Sequence, residues 1–182
     1  AGLGHRRIAY LGTPQRLSNG AARLRGLRAG LGAAGLDPDG CPMHLVEPTR
    51  VNGRRGAAAL LDADPAPTAL LVGGGALSIG AAQEVHARRL ALPRDLSLVV
   101  YGDPMWFALS DPPLTTIRVD YDELARRAAE MLLRLLDGPG ADAGARPTPG
   151  AHLVAPELRV AGSTGPAPVS YTHLTLPTSD LV

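Results

Sequence analysis

Short apolar runs alternate along this chain with longer stretches whose apolar residues recur every three or four positions. Arg7-Ile8-Ala9-Tyr10-Leu11 reads as a strand that ends at Gly12. Leu24, Leu27, Leu31 and Ala34 then share one helical face over about 21–34, with Ser18 or Asn19 as cap and Gly35 as stop. A second strand follows over 43–46. Next comes a helix capped by Asn52 that buries Ala57, Leu60 and Leu61 and ends before Asp64-Pro65. The pattern repeats with a strand over 68–72, a helix over about 77–89 and a strand over 97–101.

Parallel strands need a long crossover, and a helix between each pair supplies it. The expectation is therefore α/β: a parallel sheet flanked by helices on both faces. In such sheets ligands bind beyond the carboxyl ends of the strands. Those ends are Gly12-Thr13-Pro14, residues 47–51, Gly73-Gly74-Gly75 and Gly102-Asp103-Pro104.

After Asp111-Pro112-Pro113 the alternation breaks. Residues 114–118 read as a further strand. Asp120 with Glu123 resembles a capping box ahead of a helix whose buried face is Leu124, Ala128, Met131, Leu132 and Leu135. Residues 137–150, rich in Gly, Pro and Ala, read as a loop. Two short strands near 152–154 and 158–160 would close the fold. Residues 169–182 contain no Ala, Arg or Gly, which dominate everything before them, and read as a non-native tail.

Composition narrows the function classes. All 18 basic residues are Arg and the formal charge is only +1, so the chain has no broad basic field with which to hold nucleic acid unaided. No apolar run approaches the ~20 residues that span a bilayer, so no membrane role is expected. Cys41 is the only cysteine, which excludes an internal disulfide and suits a reducing, cytoplasmic setting. The first residues enter a strand without a secretion signal, and the chain does not begin with Met; an upstream segment is expected. His5, His44, His86 and His152 lack metal-ligand spacing, and no Gly-x-Ser-x-Gly elbow occurs. No metal, cofactor or catalytic residue is expected. Gly73-Gly74-Gly75 sits in no phosphate-binding pattern.

Four phrases occur in an order that resembles the LacI/GalR family of transcriptional regulators. They are Leu3-Gly4-His5-Arg6-Arg7-Ile8-Ala9, Arg23-Leu24-Arg25-Gly26-Leu27, Leu92-Pro93-Arg94-Asp95-Leu96-Ser97-Leu98-Val99 and Pro112-Pro113-Leu114-Thr115-Thr116-Ile117. The resemblance implies a periplasmic-binding-protein-like fold of type I. Residues 1–168 would form a sensor fragment: about 8–113 the C-terminal subdomain, 114–136 the return into the other subdomain, and 151–162 the closing strands. It also implies a small-molecule effector, a sugar or a derivative, bound between subdomains. A homodimer is implied, formed through the helix over 77–89 with Ala81, Ala82 and Val85 in contact. DNA would be read only by a helix-turn-helix outside this chain. Residues 111–117 would cross the hinge, with strand edges left unpaired around 114–117.

The resemblance further implies which residues face the ligand. Arg25, just before Gly26, would reach into the cleft with its forked donors. Gly74-Gly75 stands where family members carry Asn-Asp, Gly102-Asp103 where they carry Asp-Asp, and Val51 where they often carry an aromatic. Two polar anchors would thus be lost, which points to a non-standard effector or a lost response. Asp103 would touch ligand or cap the next turn. Trp106, beside Phe107, would face the cleft or pack at a subdomain or dimer seam. Two rival readings are a solute-binding protein of a sugar transporter and a sugar-processing enzyme. An upstream signal peptide would mark the first and a catalytic domain the second.

Overall fold

A computed structural model of the chain describes residues 1–102, 104–137 and 153–168. In chain order the elements are β1 (Ile8–Gly12), α1 (Ser18–Ala33), β2 (Met43–Leu45), α2 (Arg50–Leu61), β3 (Ala69–Val72), α3 (Gly75–Ala87), β4 (Ser97–Tyr101), α4 (Met105–Ala108), β5 (Thr115–Arg118), α5 (Tyr121–Asp137) and β6 (Glu157–Arg159). The strands form one sheet in the order β2-β1-β3-β4-β5-β6. The first five run parallel, and β6 lies antiparallel on β5.

Alternation along each strand decides which face each residue meets. Ala9 and Leu11 of β1, Leu70 and Val72 of β3, and Leu98 and Val100 of β4 join Ala57, Leu60, Leu77, Ala81 and Val85 in one buried cluster beneath α2 and α3. The opposite phase, Ile8, Tyr10, Leu71, Val99 and Tyr101, lines a cavity shared with α1. Helices thus flank both faces, with α1 alone on the second among the described residues. Burying each Leu or Val contributes about 1.5–3 kcal/mol, so the α2–α3 side carries most of the core energy.

Two glycines let α2 and α3 cross at backbone contact. A Cβ on Gly80 would lie 2.1 Å from the Arg50 carbonyl oxygen and 2.5 Å from the Arg54 nitrogen. One on Gly53 would lie 2.5 Å from the Leu77 carbonyl oxygen. An ion-pair chain bridges the same helices: Glu84 accepts from Arg54 at 2.9 Å and from Arg88 at 2.8 Å, and Arg88 also donates to Asp62 at 2.6 Å. These donors, Arg88 first, hold the Glu84 carboxyl below the usual carboxylate range.

Helix ends differ in detail from the sequence expectation. α1 starts at Ser18 after Leu17, with no side-chain cap. It ends in a Schellman motif: Gly35 has φ +68°, Leu36 N–H donates to Leu31 C=O at 3.0 Å, and Gly35 N–H to Gly32 C=O at 3.0 Å. α2 is capped not by Asn52 but by Thr49, whose hydroxyl accepts from Asn52 N–H at 3.1 Å. α5 is capped as expected, Asp120 Oδ1 accepting from Glu123 N–H at 2.9 Å. Glu123 does not complete the box, because its carboxylate pairs with Arg126 and Arg127 instead.

Three expectations need correction. The strand at 114–117 has no unpaired edge: β5 is hydrogen-bonded to β4 on one side and β6 on the other. Ser163 fills the splay ahead of that pairing. Its hydroxyl donates to Leu98 C=O at 2.7 Å and accepts from Thr115 N–H at 2.8 Å, while its carbonyl accepts from Leu98 N–H at 2.8 Å. Secondly, α5 does not bury its apolar stripe. Leu124 and Leu132 are exposed, because no other described element packs substantially on this helix. Thirdly, of the two closing strands only β6 forms; Leu153 and Val154 are irregular, and His152 lies outside the described residues. So do the loop from 138 onward and the tail at 169–182, and the Leu135 side chain is likewise not described.

Candidate functional site

The carboxyl ends of β1, β3 and β4 converge on one cluster. Tyr10, 1% exposed, lies under the backbones of Gly12 and Gly73. A Cβ on Gly12 would fall 2.3 Å from the ring, and one on Gly73 2.2 Å from the hydroxyl oxygen. Only glycine lets the two strand tips close over that ring. The Tyr10 hydroxyl has no hydrogen-bond partner among the described residues. Burial raises its pKa, opposed by the nearby Arg23 cation.

Arg23 extends from the second turn of α1 to this point. Its Nη1 donates to the Gly73 carbonyl at 2.8 Å, and the guanidinium lies 3.9 Å from the centroid of the Tyr101 ring. Stacking on an aromatic face and a carbonyl acceptor orient the cation, yet no carboxylate among the described residues pairs with it. Just past the tip of β1, Thr13, buried at 3% exposure, has a hydroxyl without a partner among the described residues. The Thr13 side chain lies against Gly20 of α1 and Gly74 at the start of α3.

Arg25, the expected ligand residue, is exposed on α1 and does not line this cavity. The lining residues Arg23, Gly26, Leu27, Gly30 and Leu31 follow the i, i+3, i+4, i+7, i+8 stripe of one helix face. Positions two apart point to different faces, so the geometry selects Arg23 and turns Arg25 to solvent. The signal was present in the sequence: Arg23 is four residues before Leu27 and eight before Leu31.

The other expected residues divide. Gly74 is buried at the β3 tip, extended at φ −168°, where its carbonyl accepts from the Ser78 hydroxyl at 2.9 Å. Gly102 is at the β4 tip with φ +93°, a conformation that favours glycine, and its N–H donates to Ile117 C=O at 2.9 Å. Asp103 lies outside the described residues. Val51 is not at the tips: it is 57% exposed in the first turn of α2 and faces a groove with Arg54, Arg55 and Gln83. Trp106 is on α4 in a separate cavity of about 460 Å³ between α3 and the 110–114 segment, with Phe107 edge-on at 4.2 Å between ring centroids. Ala81 and Val85 are correctly placed on α3 but are 0% and 3% exposed in this chain's own core, so they cannot meet a partner. Ala82 is half-buried and lines the Trp106 cavity.

A second polar cluster lies at the opposite end of the sheet. His5, 3% exposed, bonds the Thr68 hydroxyl through Nδ1 at 2.9 Å and both the Ser97 hydroxyl and the Gly165 carbonyl through Nε2 at 3.0 Å. It ties the amino-terminal segment to the starts of β3 and β4 and to the 161–167 segment. Here the histidine is a structural clasp. No group of three or more His, Cys, Asp or Glu residues is arranged to hold a metal among the described residues.

A parallel sheet with helix amino termini and an oriented arginine at the strand tips is the frame of a ligand-sensing α/β domain. The family described as a periplasmic binding protein-like domain matches residues 1–163, and the chain belongs to it, in the form of the effector-binding domain of LacI/GalR-type regulators. The HTH-type transcriptional regulator AglR of Rhizobium meliloti (strain 1021) is 32% identical over 172 residues, covering 91% of this chain and 46% of that protein. The ribose operon repressor of Escherichia coli (strain K12) is 33% identical over 138 residues, covering 75% and 41%. Among solved structures, a dimeric Lac repressor with an 11-residue C-terminal deletion superposes with a TM-score of 0.76 at 26% identity, covering 92% of this chain and 58% of that one. The chain spans about half the length of the curated relatives it matches.

Proposed function

We infer that this chain is the effector-binding and dimerising part of a LacI-type regulator that controls operator binding from the cytoplasm. A small molecule, a sugar or a derivative, binds at the strand tips. Its unequal affinity for two arrangements of the sensor repositions DNA-reading helix-turn-helix units carried outside this chain. Moving such a regulator from mostly one arrangement to mostly the other needs about 5.5 kcal/mol of preference. No cofactor, metal or catalytic step enters this mechanism. Residues 111–117 stand as the hinge-crossing segment and about 114–136 as the return into the other subdomain, a reading that the exposed leucines of α5 support.

The observation that carries this reading is Arg23, oriented at the tips of β3 and β4 by Gly73 and Tyr101. The dimer surface is assigned to the outer face of α3 with the Trp106 cavity, since Ala81 and Val85 point inward. Two measurements test it. Sedimentation of the chain should give a dimer that Trp106→Glu weakens. Fluorescence anisotropy of the complete regulator on operator DNA should respond to effector, and Arg23→Gln should abolish the response while leaving DNA affinity unchanged. Effector-independent DNA binding by the unaltered regulator would refute the reading.

A further inference from the structure

The buried faces of α2 and α3 meet the sheet, while their outer faces enclose a groove of about 660 Å³, a volume in the range of small-ligand pockets. Its charge is one-sided. Arg50, Arg54 and Arg55 line it from α2, and Glu84 on α3 is its one carboxylate. That carboxylate is already taken, accepting from Arg54 at 2.9 Å and from Arg88 at 2.8 Å. Arg50 and Arg55 are exposed, and no carboxylate among the described residues pairs with either. Other exposed arginines of this chain do find one, as Arg28 does in Asp39 and Arg126 in Glu123.

The arginines are also badly placed for the helix that carries them. Arg50 opens the first turn of α2, which holds no acidic residue, so its charge opposes the helix dipole. Arg50 and Arg54 are four residues apart, a spacing at which like charges destabilise a helix. Local rules broken without a structural return point to a functional demand. We propose that this groove binds a phosphorylated small molecule, with Arg50 and Arg55 holding its phosphoryl oxygens. The planar fork of an arginine suits two such oxygens at once. Three arginines against one carboxylate leave two positive charges, close to the charge of one phosphate ester at neutral pH. Gln83 lines the groove from α3 with a further donor, and Val51 and Ala58 offer apolar surface to the rest of the ligand. Binding is non-covalent, and the site is separate from the strand tips, so it stands or falls independently of the effector reading.

The test is calorimetric titration of the full chain with inorganic phosphate and with pyrophosphate, each against chloride at matched ionic strength. Both should bind saturably at one site per chain, pyrophosphate the more tightly. Arg50→Gln and Arg55→Gln should each weaken pyrophosphate about five- to tenfold, the loss of one exposed charge-assisted contact, and the double variant should abolish binding. Arg55→Lys, which keeps the charge but not the fork, should recover part of the loss. Arg25→Gln, an exposed arginine on α1 outside the groove, should change nothing. Thermal unfolding without added anion supplies a second readout: the double variant should melt no lower than its parent, because only unpaired like charges are removed. Heats no greater than with chloride overturn the proposal. So does an equal loss in Arg25→Gln, which would mean diffuse attraction to an arginine-rich surface. Undiminished binding in the double variant would place the anion elsewhere, and a lower melting temperature would assign these arginines to the fold; either result refutes the site.

Discussion

Replacing Gly80 with alanine probes the tightest approach to a glycine among the described residues. The added methyl carbon would sit 2.1 Å from the Arg50 carbonyl oxygen, 2.5 Å from the Arg54 nitrogen and 2.9 Å from the Gly53 carbonyl carbon, all backbone atoms that no rotamer change can move. Ordinary contact requires about 3.5 Å, so α2 and α3 must separate by about 1 Å along that line. Overpacking of this kind typically costs about 1–3 kcal/mol. Against it stands the gain of about 0.5–1 kcal/mol from placing alanine in a helix interior. The expected net loss is about 1–2 kcal/mol, read by urea denaturation, with the melting temperature falling about 2–4 °C for each kcal/mol in a chain of this size. Gly30→Ala on α1 is the matched control. A Cβ there meets nothing within 4 Å, so only the propensity gain remains and stability should rise. A Gly80→Ala protein as stable as its parent, beside a stabilised Gly30→Ala, would refute the claim that these helices cross at backbone contact.

Arg89 holds the left-handed position after α3 at φ +56°, with Leu90 N–H donating to Val85 C=O at 3.2 Å, so Arg89→Gly should stabilise by about 0.5–1 kcal/mol in the same assay. His5→Ala removes the clasp at the foot of the sheet and leaves a cavity; a loss of about 2–3 kcal/mol is expected, and a change below measurement error would deny the clasp any structural role. The Glu84 carboxyl is held below its ordinary pKa by Arg88 and Arg54. Its contribution is therefore complete above the ordinary carboxylate pKa, at about pH 4.3, and is lost as pH falls through the depressed folded value. Glu84→Gln should flatten that part of the acid-unfolding profile; an unchanged profile would mean the ion-pair chain contributes nothing.

The order of elements followed directly from hydrophobic periodicity. Runs such as 97–101 and the three-to-four spacing of Leu24, Leu27 and Leu31 are local properties of the chain, and each led to the right element within a few residues. Turn chemistry was legible for the same reason, as at Gly35, where a left-handed residue ends α1. The short helix α4 was missed because four residues hold barely one turn of periodicity. Caps were misplaced where several polar residues competed, Thr49 prevailing over Asn52 because its backbone is extended and its hydroxyl reaches the third amide of the turn.

Periodicity alone settled that α1 and α3 each have an inner face; it could not say what lies against that face. The spacing already put Arg23, not Arg25, on the face of Leu27 and Leu31, but its partners there, Gly73 and Tyr101, arrive only 50 and 78 residues later. The inward orientation of Ala81 and Val85 depended on α3 packing over β3 and β4, and the tolerance for nothing but glycine at 53 and 80 depended on a helix crossing. Secondary structure is written in neighbouring residues, whereas a site and a packing seam are made by residues that only folding brings together.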